Sequence, residues 1–229
     1  SFWLNLNTSG EGGYGRIVML YDRKYMILGK LGGTSRFHMF SPLHSEITID
    51  NILSHNIWYH FAITVDISTS SLKTYINGEI ETSMTKTISN SGLLQKIAFG
   101  NETTSTSRDA DGQVDDFRIY NKVLSSDEIS LLYNREINTG YKTLTFTYNN
   151  LSYPILDSDT NNLIAHYKFD GDFTDSSGNG NTLTIGNGTP TTSSTEYKIG
   201  ESANFLSNDS YLKTSALSLS NKAFSVSVW

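Results

Sequence analysis

Two groups of aspartates have the residue types and spacing to do chemistry. Asp109, Asp111, Asp115 and Asp116 fall in one short stretch, and Asp170, Asp172 and Asp175 sit in a segment rich in Gly and Asn. A hard cation takes about six to eight oxygen ligands from carboxylates, amide oxygens and backbone carbonyls on a bent loop, and both segments offer such atoms. Asp and Asn also build turns by bonding their own backbone, so the sequence leaves ion binding and turn formation both open. Neither segment has the D-x-D-x-D-G order of an EF-hand.

Catalytic patterns are missing from the sequence. Retaining glycosidases hold two carboxylates about 5–5.5 Å apart, a spacing that E-x-D-x-x-E or E-x-D-x-E provides along a strand. No such run occurs; Glu79 and Glu81 alternate, but they follow the turn Asn77-Gly78 and read as solvent-facing. H-E-x-x-H, G-x-S-x-G and phosphate-binding glycine loops are also lacking. The five histidines, His38, His44, His55, His60 and His166, form no pair at metal-ligand spacing. His60 and His166 lie in strand patterns and read as structural, and Trp3 and Trp58 read as core residues. Tyr14, Tyr21 and Tyr25, with Arg16, Arg23 and Arg36, are the candidate ligand-binding side chains on loops. Five N-x-S/T sequons, at Asn7, Asn101, Asn150, Asn187 and Asn208, are glycan acceptors only in a secreted eukaryotic chain.

The elements that must position these residues are strands. The chain has 229 residues, 12% aromatic and 37% hydrophobic, with 3 prolines, and it is rich in Ser, Thr and Asn. That composition suits strands and turns. A net charge of −6 argues against nucleic acid and anionic membranes, which require clustered Lys and Arg. No apolar run approaches the roughly 20 residues that cross a bilayer. Cysteine is absent, so disulfides do not stabilise the fold.

Residues 1–138 read as a meander. Strands are expected at 17–20, 25–28, 37–40, 47–49, 58–66, 72–76 and 79–81. Asn77-Gly78 supplies the two positive-φ positions of a type I′ hairpin. A helix is expected near 125–134: Ser125 and Glu128 make a capping box, and Ile129, Leu132 and Tyr133 share one face. Residues 139–160 read as a connector with at most one edge strand. From 161 a new pattern begins, with strands at 163–169, around 203–205 and 211–213, and at 224–229.

Ser1-Phe2-Trp3 and Ser227-Val228-Trp229 read as the same strand one repeat apart, at a spacing of 229 − 3 = 226 residues. The expectation is a tandem array: 1–138 is the back part of one repeat, and 161–229 the front part of the next. A sandwich lacking its first strands would expose core faces and unpaired edges. Complementation is therefore expected, within this chain as a permuted domain or by segments outside it.

The motifs resemble the laminin G-like domains of the concanavalin A-like superfamily. Trp58-Tyr59-His60-Phe61 with Asp66, then Leu72 to Gly78, resembles that family's central hairpin. Ile97-Ala98-Phe99-Gly100 resembles its next strand, and Gly112 to Tyr120 with Leu124-Ser125, Glu128-Ile129 and Leu132-Tyr133 its closing signature. The opening motifs, Tyr167 to Asn181 and Phe224 to Trp229, come last here, so the family order is rotated. The resemblance implies an all-β, antiparallel two-sheet jelly-roll sandwich with one short helix. It also implies a structural calcium shared between the opening loop and the closing Asp. Residue by residue that carries over to Asp170, Asn179 or Asn181, with Asp115 across from them.

The function expected on this resemblance is a non-catalytic surface module for glycan recognition or adhesion. Its setting would be extracellular, or on a cell or virion surface, without membrane insertion. Two rivals follow from the same resemblance. One is a structural repeat of a virion, fibre or cell-surface assembly that binds protein neighbours; the other is an accessory domain of a carbohydrate-active enzyme.

Overall fold

The computed structural model describes residues 2–7, 16–20, 26–30, 36–41, 44–52, 54–85, 97–100, 111–138, 146–148, 151–153, 162–205, 210–215, 217 and 224–228. In chain order the elements are β1 (Phe2–Leu6), β2 (Arg16–Leu20), β3 (Met26–Lys30), β4 (Arg36–Ser41), β5 (His44–Ile52), β6 (Trp58–Asp66), β7 (Ser71–Ile76), β8 (Glu79–Thr85), β9 (Ile97–Gly100), β10 (Gly112–Asp115) and β11 (Phe117–Tyr120). Helix α1 (Ser126–Asn138) follows. Then come β12 (Phe146–Tyr148), β13 (Leu151–Tyr153), β14 (Leu163–Tyr167), β15 (Thr184–Asn187), β16 (Thr191–Ser193), β17 (Ser202–Phe205), β18 (Tyr211–Lys213) and β19 (Phe224–Val228).

Two antiparallel sheets make the expected jelly-roll sandwich. Among the described residues the first has ten strands and the second seven, in the order β15-β18-β9-β2-β3-β4-β5. Strands from the two ends of the sequence interleave in the first sheet, where β14 pairs with β11, β17 with β10, and β19 with both β6 and β11. In the second, β18 pairs with β9. β12 and β13 form a separate two-stranded sheet, where the sequence suggested at most one edge strand. β15 and β16 were not anticipated, because Thr184–Asn187 and Thr191–Ser193 lack apolar alternation.

One edge of β6 is shared. β19 occupies it from Val65 to Ala62, ending with Ser227 opposite Ala62, and β1 continues with Phe2 opposite Phe61. The two segments therefore fill one strand's place end to end. On the far side, β10 and β11 act as one strand interrupted at Asp116, whose φ of 47° marks a bulge. β10 pairs with β1, and β11 pairs with β19.

Strand alternation sorts the side chains into two apolar layers. Phe61, Ile63 and Val65 point between the sheets with Leu4, Leu6, Val114, Phe117, Ile119, Tyr167 and Val226 from the first sheet, meeting Val18, Ile97, Phe99 and Leu212 from the second. The Phe99 and Phe117 rings meet edge to face at 4.7 Å. Each large side chain buried there contributes about 1.5–3 kcal/mol. The intervening residues Trp3, Ala62, Tyr75 and Tyr120 face outward and are covered by Leu124, Ile129 and Leu132.

Helix α1 is capped as expected: Ser125 N donates to Glu128 Oε2 at 2.7 Å, and Glu128 N donates to Ser125 Oγ at 3.1 Å. It runs to Asn138, past the expected end near 134, because the first strong breaker in the sequence is Gly140. It sits on the Asn77-Gly78 turn, whose φ values of 51° and 81° are those of a type I′ hairpin. Ser130 Oγ donates to Gly78 O, and a side chain at position 78 would strike Tyr133 at 2.9 Å. Among the described residues no helix is long and apolar enough to cross a membrane.

Candidate functional site

The Asp116 bulge places two adjacent carboxylates in different surroundings. Asp116 accepts from Arg118 Nη2 at 3.2 Å and contacts His166 Nε2, forming a buried triad on the outer face of the sheet. Arg118 Nε lies 3.3 Å from the same His166 nitrogen. One ring nitrogen cannot both donate and accept, so its proton belongs on the closer contact, to Asp116.

Asp115 is fully buried. Its Oδ2 accepts from Lys198 N at 2.9 Å and Ile199 N at 2.7 Å, while Oδ1 has no hydrogen-bond partner among the described residues. Burial pushes its carboxyl well above the usual range, and the charges of Asp116 and Asp170 add to that; the two backbone donors act against it. Asp170 follows β14 at a sharp turn where Phe169 and Gly171 have φ of 63° and 83°. Its Oδ1 accepts from Glu201 N at 2.8 Å. The carboxylate lies against Gly200, where an added Cβ would come within 1.8 Å of Oδ1. Asp115 and Asp170 thus grip consecutive parts of one strap, Lys198 to Glu201.

Asn179 and Asn181 are not brought to that pair. Asn179 Nδ2 donates to Leu163 O and Asn181 Nδ2 to Ile164 O, both at 2.8 Å. Leu163 lies opposite Tyr120, whereas Tyr167 lies opposite Phe117. The first contact is therefore about 13 Å along the strand from the end that leads to Asp170. Asp175 organises this loop: it accepts from His166 N, Ser177 N, Ser177 Oγ and Asn181 N, at 2.9–3.0 Å. Asp172 accepts from Thr174 N and Oγ1. In this cluster Asp172 and Asp175 build turns, and Asp170 bonds the strap that Asp115 also holds. In the other cluster Asp111 accepts from Asn7 Nδ2 at 3.1 Å. Asp109 lies outside the described residues, as do Tyr14, Tyr21, Tyr25 and Arg23; the backbones of Arg16 and Arg36 belong to β2 and β4.

Three further polar residues join the site, none of them singled out from sequence. Asn5 lies opposite Gln113, and Gln113 opposite Asn204, on three neighbouring strands. Their amide oxygens are buried and have no hydrogen-bond partner among the described residues. Gln113 Nε2 donates to Glu196 Oε2 at 2.7 Å, and Lys198 Nζ stands 4.3 Å over the Trp3 ring. The strap 193–201 thus lies over Gln113 and Asp115, and the row of oxygen acceptors continues the Asp115 site. The available signal was polar residues alternating in strands, which ordinarily means a wet face; the strap covers it instead. Among the described residues no three His, Cys, Asp or Glu side chains converge on a metal position. An ion here would draw on two carboxylates, with amide and backbone oxygens completing its shell.

Comparison with known proteins agrees with this architecture. The laminin G-type family profile described as the concanavalin A-like lectin/glucanases superfamily matches residues 1–130, and the chain belongs to that superfamily. No curated protein matches the sequence. A Bacteroides ovatus protein assigned to carbohydrate binding superposes over 95% of this chain with a TM-score of 0.51 at 15% identity. The chain spans 54% of that protein's length. A heptameric SAP-like pentraxin from Limulus polyphemus aligns over 58% of this chain and 67% of its own, with a TM-score of 0.42 and 14% identity.

Proposed function

We propose that this chain is a non-catalytic carbohydrate-binding module whose glycan-facing loops are fixed by a calcium ion between Asp115 and Asp170. The observation that carries the ion is the buried Asp115 carboxylate, which shares the Lys198–Glu201 strap with a second carboxylate and keeps one oxygen without a partner among the described residues. A dehydrated anion in that position is costly unless a cation or a proton neutralises it. Membership of a superfamily of lectins and glucanases supports a sugar ligand, as does the carbohydrate assignment of the Bacteroides ovatus neighbour. The chain lacks the alternating acid pair of a glucanase strand, and Glu79 and Glu81 stand exposed beside a hairpin turn, which favours binding over hydrolysis. The setting we propose is extracellular, or on a cell or virion surface.

Glycan-array binding with calcium, with chelator, and with Asp115→Asn tests this reading. Calcium-dependent capture of a defined glycan class, lost in the variant, is the expected result. Silence on every glycan in calcium, or release of reducing ends from a bound oligosaccharide, would end it. The rival reading, a structural repeat that binds protein neighbours, is favoured by the strand place shared between β19 and β1.

A further inference from the structure

We infer that residues 161–229 are an exchangeable half, able to complete residues 1–138 of a second copy of this chain as they complete their own. On β6 the register of β19 sums to 289, as in Ser227 with Ala62, and that of β1 sums to 63, as in Phe2 with Phe61. The difference, 289 − 63 = 226, equals the spacing between Trp3 and Trp229 in the sequence. β1 and β19 are therefore one strand by sequence repeat and one strand by hydrogen-bond register.

The halves recognise each other through strand edges. Five ladders cross between them: β14 to β11, β19 to β11, β19 to β6, β17 to β10 and β18 to β9. Among the described residues of 161–229 only two pairings are internal, β15 with β18 and β16 with β17. Side-chain bonds reinforce the joint, since Leu124 N donates to Ser225 Oγ at 2.8 Å and Ile97 N donates to Thr214 Oγ1 at 3.1 Å. The sequence between the halves, 139–160, carries β12 and β13, which pair only with each other among the described strands. Every inter-half contact would therefore be made equally well by the half of another copy.

Exchange forfeits only the tether. A covalent tether supplies an effective concentration on the order of millimolar, so closure within one copy dominates in dilute solution. Crowding copies together on a surface or along one polypeptide tips the balance to exchange. Such swapping is a low-cost route from monomers to dimers, and to open chains where the geometry does not close.

Two variants of the 229-residue chain test this inference. Ile119→Asp places a charge in the first half and Ala165→Asp in the second, at directly opposed, fully buried positions. Neither is expected to melt cooperatively alone. Refolded together, the intact half of each should make one wild-type sandwich per pair of chains. The mixture should then regain about half of the wild-type unfolding amplitude, at the wild-type midpoint. Because the variants can precipitate, wild-type chains labelled separately with donor and acceptor dyes are also refolded together at high concentration and sized. Energy transfer in a species of two or more copies is the expected result. A mixture that melts as the average of its parts, or wild type that stays at one-copy mass without transfer when the variants precipitate, overturns exchange.

Discussion

Beside β14, Asp175 spends both carboxylate oxygens on four hydrogen bonds from its own loop and strand. Past the far end of that ladder, Asp115 accepts two, and its other oxygen has no partner among the described residues. The first carboxylate is satisfied by local backbone, so its work is to shape a loop. The second is held by a strap more than 80 residues away (198 − 115 = 83), and one of its oxygens has acceptor capacity that this strap does not use. The same residue type is a turn builder in one place and a candidate ion ligand in the other, and hydrogen-bond satisfaction separates them.

Four measurements would break or sharpen that contrast. The largest effect is expected from Asp175→Ala, which strips the loop of four bonds and should cost about 3 kcal/mol in chemical denaturation. That loss should be the same with calcium or chelator; a loss confined to calcium buffer would make Asp175 an ion ligand. Gly200→Ala tests the strap itself. Its φ of 67° and the Asp170 carboxylate leave no room for a Cβ, and a cost of about 2 kcal/mol is expected, with weaker calcium stabilisation measured by thermal melting.

Asp115→Asn should abolish the proposed calcium-induced stabilisation, which for wild type should reach about 2.7 kcal/mol at a hundredfold excess of ion over Kd. It should also change the pH profile. In chelator, the folded protein keeps the Asp115 proton after the unfolded chain has lost it, so the native state binds more protons. Wild-type stability therefore falls as pH rises from about 4 through the raised folded value. The variant should lack that decline, and a melting temperature in chelator that follows wild type at every pH would remove the assignment. Asn179→Ala should do least. It loses contacts to Leu163 O and Ile164 O at an exposed site, about 0.5 kcal/mol, and should leave calcium stabilisation intact. Loss of that stabilisation would restore Asn179 to the ion site.

Much of the sandwich was legible because alternation and turn chemistry act locally. Trp58–Asp66, the Asn77-Gly78 hairpin and the Ser125–Glu128 capping box declare themselves within a few residues. β15 and β16 did not, since short polar edge strands carry no buried face to impose a period. For the site, the likeness of the closing and opening motifs pointed to Asp115 and Asp170, which the fold brings to one strap. Asn5, Gln113 and Asn204 were illegible. Their meeting depends on the register between β1, β10 and β17, and their burial on a strap that no local pattern announces.

That row of carboxamides has a consequence for which segments can pair. Sliding β10 by one position against its neighbours would turn Gln113 into the oily space between the sheets and send Val114 out beneath the strap. Gln113 would forfeit its bond to the Glu196 carboxylate, about 1.5–3 kcal/mol, with nothing to replace it. The polar row thus works as a notch in a key: any incoming strand, from this molecule or another, seats fully or is rejected.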